Sequence, residues 1–295
     1  MSCRVCLLTS LLALTTSALR TPRRQCIKAA GAALLPAAAT ALLPAAAAVA
    51  AAPSEVEAVL ANERWDPESP FTREDFRRLD ESDDKDFYTE PRFVYHIDDA
   101  AVAATASFYS DLFQRSAAAS SSRPVDALDL CSSWVSHYPT SGATLGRVEG
   151  LGMNLEELKA NPQLTGYLVR DLNKEPTLPY ADASFDIITM TVSIDYLTKP
   201  LAVIREAARC LRPGGQIAIV FSNRLFFSKA VALWTGKDDL DHVLTVGSYI
   251  HYGAPTLLSE PRSVDLTPPK RRGSKGGDPL YAVVATRLAP GESRA

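Results

Sequence analysis

Cysteine and histidine are scarce in this chain, and their scarcity excludes several classes of protein. The 295 residues include five cysteines and four histidines. Three of the cysteines lie within the first 26 residues, and only Cys131 and Cys210 follow them. Two cysteines are too few for a disulfide framework, and no spacing of cysteine and histidine matches a metal site. The sequence therefore predicts neither a disulfide-stapled domain nor a metal centre.

Acidic residues are missing from residues 1–52, which contain five basic residues instead. Without this leader, 26 of the 31 basic residues remain against 34 acidic ones. An acidic chain is a poor partner for phosphate backbones, because nucleic-acid binding relies on many lysine and arginine contacts. The remainder of the chain is therefore not expected to bind nucleic acid.

The leader carries two targeting patterns in succession. Arg4, the apolar residues 7–14 and the small residues after them are typical of a secretory signal. Arg23-Arg24 then precedes an uncharged, alanine-rich run to residue 52, as in a twin-arginine export signal. Two stacked signals predict a plastid (chloroplast) protein, with the thylakoid lumen as destination if the run is cleaved. The alternative is a retained span in the thylakoid membrane, for which the run is long enough.

Residues 184–224 show the clearest structural pattern. Residues 185–192 are apolar and rich in β-branched side chains, as in a strand buried on both faces. Pro200 suits the first turn of a helix, and the Pro213-Gly214-Gly215 turn suits its end. A second apolar strand follows at residues 217–221. Strand, crossover helix and parallel strand form a right-handed βαβ unit, so the sequence predicts an α/β fold.

The chain also lacks a G-x-G-x-x-G sequence after its first predicted strand, residues 125–130. Cys131-Ser132-Ser133-Trp134 stands there instead. This absence disfavours a nicotinamide-dependent dehydrogenase, whose pyrophosphate site needs those glycines.

Three sequence features lie within and around the βαβ unit. They are Asp186 after Phe185, the Arg205-Glu206 pair, and the Leu-Arg-Pro-Gly-Gly sequence of residues 211–215. Together they resemble the second half of a class I S-adenosylmethionine-dependent methyltransferase of the type 11 group. The chain is also similar to an uncharacterised subgroup from cyanobacteria and plastid-bearing organisms. The resemblance implies a Rossmann-like fold: a mostly parallel seven-stranded sheet with helices on both faces, at residues 116–290. Residues 53–115 are expected to form a helical, aromatic lid segment before it.

The resemblance implies a site for S-adenosyl-L-methionine beyond the carboxyl ends of the strands. Asp171 is expected to accept a hydrogen bond from the adenine amino group, while the next backbone N–H donates to the ring. The expected cofactor-binding residues are Asp129, Cys131, Ser132, Gly152, Asn154, Asp171, Leu172 and Ser193.

Two departures from the family pattern fall within this site. The family places glycines after the residue at Asp129, so that the backbone can approach the methionine part of the cofactor. In this chain the small residues at 131–133 must allow that approach. The two serine hydroxyls among them can bond the cofactor's carboxylate. The family also places an acid at the tip of the second strand, and Gly152 occupies that position. Asn154 either offers one hydrogen bond to the ribose or only caps the following helix.

A dense aromatic group at residues 87–98, here called the aromatic strip, is predicted either to line the acceptor pocket or to pin the chain to the sheet. Acidic residues just before it, at positions 81, 83, 84 and 86, are typical of solvated surface. No spacing singles out a catalytic base among Asp195, Tyr196, His137, His242 and His251. The substrate-site candidates are Tyr88, Tyr95, His96, Asp195 and Tyr196.

The sequence thus predicts a methyltransferase acting on an unidentified small molecule. The alternative is a non-catalytic plastid protein with a binding or scaffold role, which keeps the fold while its cofactor site has degenerated. A basic loop at residues 268–278 is expected either to contact an anionic membrane surface or to be merely solvated.

Overall fold

Seven strands form the centre of the fold in a computed structural model, which describes residues 54–120, 123–269 and 277–294. The strands lie in the order β3-β2-β1-β4-β5-β7-β6. β1 to β5 are parallel to one another, and β7 runs antiparallel to both β5 and β6. The strands are β1 (Val125–Leu130), β2 (Leu145–Gly152), β3 (Gly166–Val169), β4 (Phe185–Thr191), β5 (Leu211–Ser222), β6 (Arg262–Asp265) and β7 (Leu280–Thr286). The predicted seven-stranded, mostly parallel α/β fold is confirmed.

Helices cover both faces of this sheet. α5 and α6 bury their apolar sides in one core with the side chains of Leu128, Ile188 and Ile219. α3 packs on the opposite face, where Tyr109 and Phe113 contact a second core. The α-helices are α1 (Glu55–Ala61), α2 (Asp84–Phe87), α3 (Asp99–Ala119), α4 (Leu155–Ala160), α5 (Pro200–Cys210) and α6 (Asp239–Gly253).

The βαβ unit forms as predicted, with one correction at the end of its helix. α5 begins at Pro200 and ends at Cys210. Leu211 already pairs with Phe185, whereas Gln216 pairs with Ile187, so β5 bulges between these two pairs. The Pro-Gly-Gly turn therefore lies within the strand, and Gly214 adopts a φ of +80° there.

The sequence pattern of residues 228–234 predicts a helix after β5, and this prediction is wrong. This stretch forms turns, because its backbone N–H groups bond to distant segments. Val231 N–H donates to the Asp195 carbonyl, and Leu233 N–H donates to the Asp75 carbonyl. Buried Val231 and Trp234 anchor the stretch, so tertiary contacts override its helical pattern.

Several predictions fall on residues that the structure does not describe. The targeting leader lies outside the described residues, and so does most of the basic loop, residues 270–276. Within the described part of the chain, no helix combines the length and apolar character needed to span a bilayer.

Candidate functional site

A cavity of about 340 Å³ lies beyond the carboxyl ends of β1 to β4, beneath the aromatic strip. Its volume is within the usual range for small-molecule sites. Of the predicted site residues only Asp195 is not in the cavity wall. The predicted residues in the wall are Tyr88, Tyr95, His96, Asp129, Cys131, Ser132, Gly152, Asn154, Asp171, Leu172, Ser193 and Tyr196.

Asp129 ends β1 as a buried carboxylate that is held only by hydroxyl groups. Its Oδ2 accepts hydrogen bonds from Ser132 Oγ and Ser136 Oγ, each at 2.7 Å. Thr189 Oγ1 donates to Oδ1 at 3.3 Å. Burial raises the pKa of Asp129 to about 6, and these hydrogen bonds only partly oppose the rise. Asp129 is therefore a weaker acid than an exposed aspartate.

The loop after β1 takes up a glycine-like backbone without a glycine. Cys131 has a φ of +56°, in the left-handed region that most residues avoid. Ser132 Oγ donates to Asp129, and Ser133 Oγ donates to Glu157 Oε2 at 2.6 Å. The two hydroxyl hydrogens therefore tie this loop to the protein's own carboxylates and are not directed at a ligand carboxylate. Burial also raises the pKa of the Cys131 thiol to about 12.

The tip of β2 has no room for the acid that the family resemblance leads one to expect. A Cβ atom on Gly152 would lie 2.0 Å from the Ser132 carbonyl oxygen, far inside any real contact. Asn154, two residues on, caps α4: its Oδ1 accepts from the N–H groups of Glu156 and Glu157. Its Nδ2 donates to the carbonyls of residues 88 and 89 in the aromatic strip. The helix-cap interpretation of Asn154 is the one the geometry bears out.

The tip of β3 presents Asp171 to the cavity. Its Oδ1 accepts from the Asn173 N–H at 2.9 Å, and its Oδ2 lies 3.8 Å from Lys174 Nζ. Leu172 beside it is buried and contributes an apolar wall. The carboxylate therefore retains acceptor capacity toward the cavity, as adenine recognition at this position requires.

The loop after β4 brings Ser193 and Tyr196 to the cavity. Ser193 Oγ donates to the Thr191 carbonyl, and Tyr196 Oη accepts from the Phe226 N–H at 2.9 Å. Burial raises the pKa of the Tyr196 hydroxyl far above its ordinary value. Asp195 lies beneath the wall, and burial raises its pKa to about 7. Its Oδ2 has no hydrogen-bond partner among the described residues.

The aromatic strip forms the outer wall of the cavity. The Arg92 N–H donates to Glu157 Oε1 at 2.7 Å. The Arg92 guanidinium lies 4.5 Å from the Phe87 ring centre and 5.4 Å from that of Phe226. Trp134 Nε1 donates to the Val94 carbonyl, so Trp134 fastens the strip from the β1 side. The strip is pinned to the sheet, as one of the two sequence interpretations predicts, and it also lines the cavity. That it contacts a methyl acceptor stays a prediction.

Two buried carboxylates of the cavity wall, Asp84 and Glu157, were not among the site residues predicted from sequence. Asp84, expected on the solvated surface, is buried and accepts from Arg78 Nη1 and Asn173 Nδ2. Glu157 is buried below Arg92. The burial of Asp84 could not be predicted from sequence, because Asp84 lies within a run of acidic residues whose other members are not buried. The burial of Glu157 could not be predicted either, because its neighbour Glu156 is exposed.

The remaining histidine candidates separate by position. His137 lies in the cavity wall, and burial lowers its pKa, as it does that of His96. His242 stacks on Trp234 with ring centres 4.0 Å apart, away from the cavity. His251 stacks on Trp65 and contacts Glu260, also outside the site. Within residues 54–120, 123–269 and 277–294, no group of three or more metal-ligating side chains is placed to hold a metal ion.

A protein-family model matches part of this chain. The model of the type 11 family, described as "Methyltransferase domain", matches residues 143–219. This match confirms the type 11 resemblance over that stretch, while the narrower likeness to the cyanobacterial and plastid subgroup stays a prediction.

The curated relatives match over short stretches. The 27-O-demethylrifamycin SV methyltransferase of Amycolatopsis mediterranei is 50% identical over 42 residues, or 14% of this chain and 15% of its own length. The demethylmenaquinone methyltransferase of Chlamydia trachomatis is 33% identical over 102 residues, or 32% and 42%. The similarity thus spans less than half the length of these relatives. Among solved structures, geranyl diphosphate C-methyltransferase from Streptomyces coelicolor aligns at 15% identity and a TM-score of 0.38, covering 63% of this chain and 78% of its own.

Proposed function

From the type 11 methyltransferase domain at residues 143–219, we propose that this protein is an S-adenosylmethionine-dependent methyltransferase acting on a small molecule. The observation that carries the proposal is the cavity itself. One cavity gathers Asp129, Gly152 and Asp171 from three strand ends, beneath an aromatic cover. The carboxyl edge of a parallel sheet is where α/β proteins bind ligands.

The residues present fit this cofactor at most points. Asp171 and the Leu172 backbone suit the adenine, and the apolar side chains of Leu151 and Leu172 suit its ring faces. Small residues at 131–133 let the backbone come close to the ligand. The cofactor, when bound, supplies a methyl group on a sulfonium that is already activated for displacement. The protein therefore has mainly to hold the acceptor in line, which is worth roughly 7–11 kcal/mol in favourable cases.

The cavity wall favours an acceptor with a flat or apolar body and a negatively charged or hydroxyl group. Tyr88, Tyr196 and Phe226 provide aromatic surface. The Arg92 guanidinium lies against the Tyr88 and Phe226 rings and donates a hydrogen bond to the Phe87 carbonyl. Among the described residues, no carboxylate lies within ion-pair distance of it. At the rim, Phe93 is 52% exposed. A hydroxylated aromatic acceptor matches this lining, and the lowered pKa of His96 keeps a neutral imidazole near the mouth to take its proton.

Calorimetry of the full chain with S-adenosylmethionine and S-adenosylhomocysteine tests the proposal. Both ligands should bind to the wild-type protein, and Asp171→Ala should weaken both. Hydrogen bonds to charged groups contribute roughly 1.5–3 kcal/mol, which corresponds to about 10- to 150-fold in affinity. Asp171→Asn keeps an acceptor for the Asn173 N–H, so the local turn stays intact. This variant therefore tests adenine recognition without changing the turn.

Asp182→Ala is the matched control, because that carboxylate is 80% exposed and pairs with Arg209 outside the cavity. Its affinity should equal that of the wild type. If Asp171→Ala leaves the affinity unchanged, the placement of adenine is wrong. If the folded wild-type protein binds neither ligand at millimolar concentration, the methyltransferase proposal fails and the scaffold alternative stands.

We propose a plastid location on the strength of the leader sequence, with Pro53 close to the mature N-terminus. N-terminal sequencing of protein isolated from its source tests this. A start near residue 20 would instead indicate a retained alanine-rich span.

A further inference from the structure

The ribose hydroxyls of the cofactor need an acceptor that the tip of β2 does not supply. Gly152 has no space for any side chain, because the Ser132 carbonyl occupies that volume. The side-chain oxygen of Asn154 accepts hydrogen bonds from two N–H groups of α4, and its amide group donates to two carbonyls of the aromatic strip. Neither residue can therefore replace the missing carboxylate.

We propose that Glu157, in the first turn of α4, is the residue that binds the ribose hydroxyls in this protein. The inference rests on the proposed function. Glu157 lies in the wall of the same cavity as Gly152 and Asn154, three residues after the helix cap. The fold thus keeps a carboxylate beside the end of β2 but moves it from the strand to the helix.

The hydrogen bonds of Glu157 leave capacity for two donors. Oε1 accepts the Arg92 N–H at 2.7 Å, and Oε2 accepts the Ser133 hydroxyl at 2.6 Å. An ionised carboxylate has about four acceptor positions on its two oxygens, so one remains on each. A pair of neighbouring hydroxyls donates two hydrogen bonds and matches these two positions.

The existing contacts also hold the carboxylate still. Glu157 is buried, with 9% of its surface exposed, and is clamped between the β1 loop and the aromatic strip. A carboxylate fixed in this way loses little side-chain entropy when a ligand binds, which favours recognition of two adjacent donors. Glu156, the preceding residue, points away and pairs with Lys159 on the surface.

The test compares Glu157→Gln with Glu156→Gln by calorimetry on the full chain. Two probes are used: S-adenosylhomocysteine and its 2′,3′-dideoxy analogue. Glu157→Gln should weaken binding of S-adenosylhomocysteine about tenfold or more, as expected for loss of charge-assisted hydrogen bonds. It should change binding of the dideoxy analogue by less than about threefold. Glu156→Gln should alter neither.

The analogue separates ribose recognition from a merely structural role. If Glu157 only fastens the aromatic strip, Glu157→Gln weakens both probes equally, and the inference is overturned. If it weakens neither, the inference is also overturned, while wild-type binding of S-adenosylhomocysteine leaves the proposed function standing. Absence of wild-type binding overturns both. Urea unfolding of the variant, followed by circular dichroism, shows whether a general loss of stability causes the change.

Discussion

Buried aspartates at the two edges of the central sheet have different partners. At the amino edge of β4, Asp186 accepts hydrogen bonds from the guanidinium groups of Arg123 and Arg212 and from the Asp126 N–H. At the carboxyl edge, Asp129 and Asp195 are buried with no cationic partner among the described residues. Other carboxylates at the carboxyl edge do have cations nearby: Arg78 contacts Asp84, and Lys174 Nζ lies 3.8 Å from Asp171. The contrast is therefore between Asp186 on one side and Asp129 and Asp195 on the other.

The pKa values follow this difference. Burial alone would raise the pKa of Asp126, but the Arg147 N–H and the Arg212 guanidinium hold it below its ordinary value. Burial raises the pKa of Asp129 to about 6 and that of Asp195 to about 7, because no cation opposes it. Perturbed carboxylates in a cleft are typical of functional sites. The raised pKa values make Asp129 and Asp195 candidates for a functional role, whereas Asp186 and Asp126 are paired with arginines.

Positive φ angles at residues other than glycine occur at both edges, since Ala183, just before β4, has a φ of +52°. At the amino edge, the positive φ of the β5 bulge falls on Gly214, which tolerates it. At the carboxyl edge, Cys131 and Val192 have φ angles of +56° and +45°. A β-branched residue in this region is a genuine outlier, and such outliers cluster at ligand sites. Cys131 and Val192 both lie in the cavity wall, so strained backbone forms part of that wall.

The largest loss of stability is expected at the amino edge, where Asp186 pairs with two arginines. Asp186→Asn should lower the free energy of unfolding by about 2–3 kcal/mol, because it leaves two arginines without their shared carboxylate. The full cost of a broken buried pair is not expected, since Arg123 and Arg212 are 43% and 30% exposed. Urea unfolding measures the loss. The exposed pair of Asp182 and Arg209 provides the control, and Asp182→Asn should cost less than about 0.5 kcal/mol. Equal losses in the two variants would contradict the contrast.

A smaller effect on stability, which depends on pH, is expected at the carboxyl edge. The pKa of Asp195 is raised on folding, so its contribution to stability is complete below about pH 4 and is lost as the pH rises through about 7. Asp195→Asn removes this loss. Relative to the wild type, the variant should therefore gain on the order of 2 kcal/mol between pH 5 and pH 8.

Urea unfolding at both pH values measures this gain as a difference between the two proteins. The difference is needed because His96, His137 and His242, whose pKa values are lowered, change wild-type stability in the opposite direction. A difference that is constant with pH would show that Asp195 is not a buried, unpaired acid.

The smallest effect concerns the strained loop. Cys131→Gly should change the free energy of unfolding by less than about 1 kcal/mol, because relief of the left-handed backbone offsets the added freedom of glycine when unfolded. Cys131→Val should lose roughly 2 kcal/mol, since a β-branched side chain is least suited to that backbone. Chemical denaturation of both variants checks the ranking, and a glycine variant less stable than the valine variant would contradict it.

The sequence determined the scaffold because its signals are local. The apolar run at residues 125–130 predicted β1 with its observed bounds, and the proline at position 200 marked the first residue of α5. Alternation and capping depend on neighbours within a few residues, so a single chain carries them. Asp171 and Asn154 were placed correctly at strand ends for the same reason.

Tertiary structure alone decided which polar groups are available. Asp84 and Glu157 are buried only because the N-terminal segment folds across the sheet. Gly152 is fixed as glycine by a carbonyl 20 residues earlier, not by its own φ. Hydrogen-bond capacity and free volume depend on atoms that are close in space and distant in sequence. For this reason the sequence indicated the residues around the cavity, and only the fold showed which of its carboxylates keep free hydrogen-bond acceptor positions.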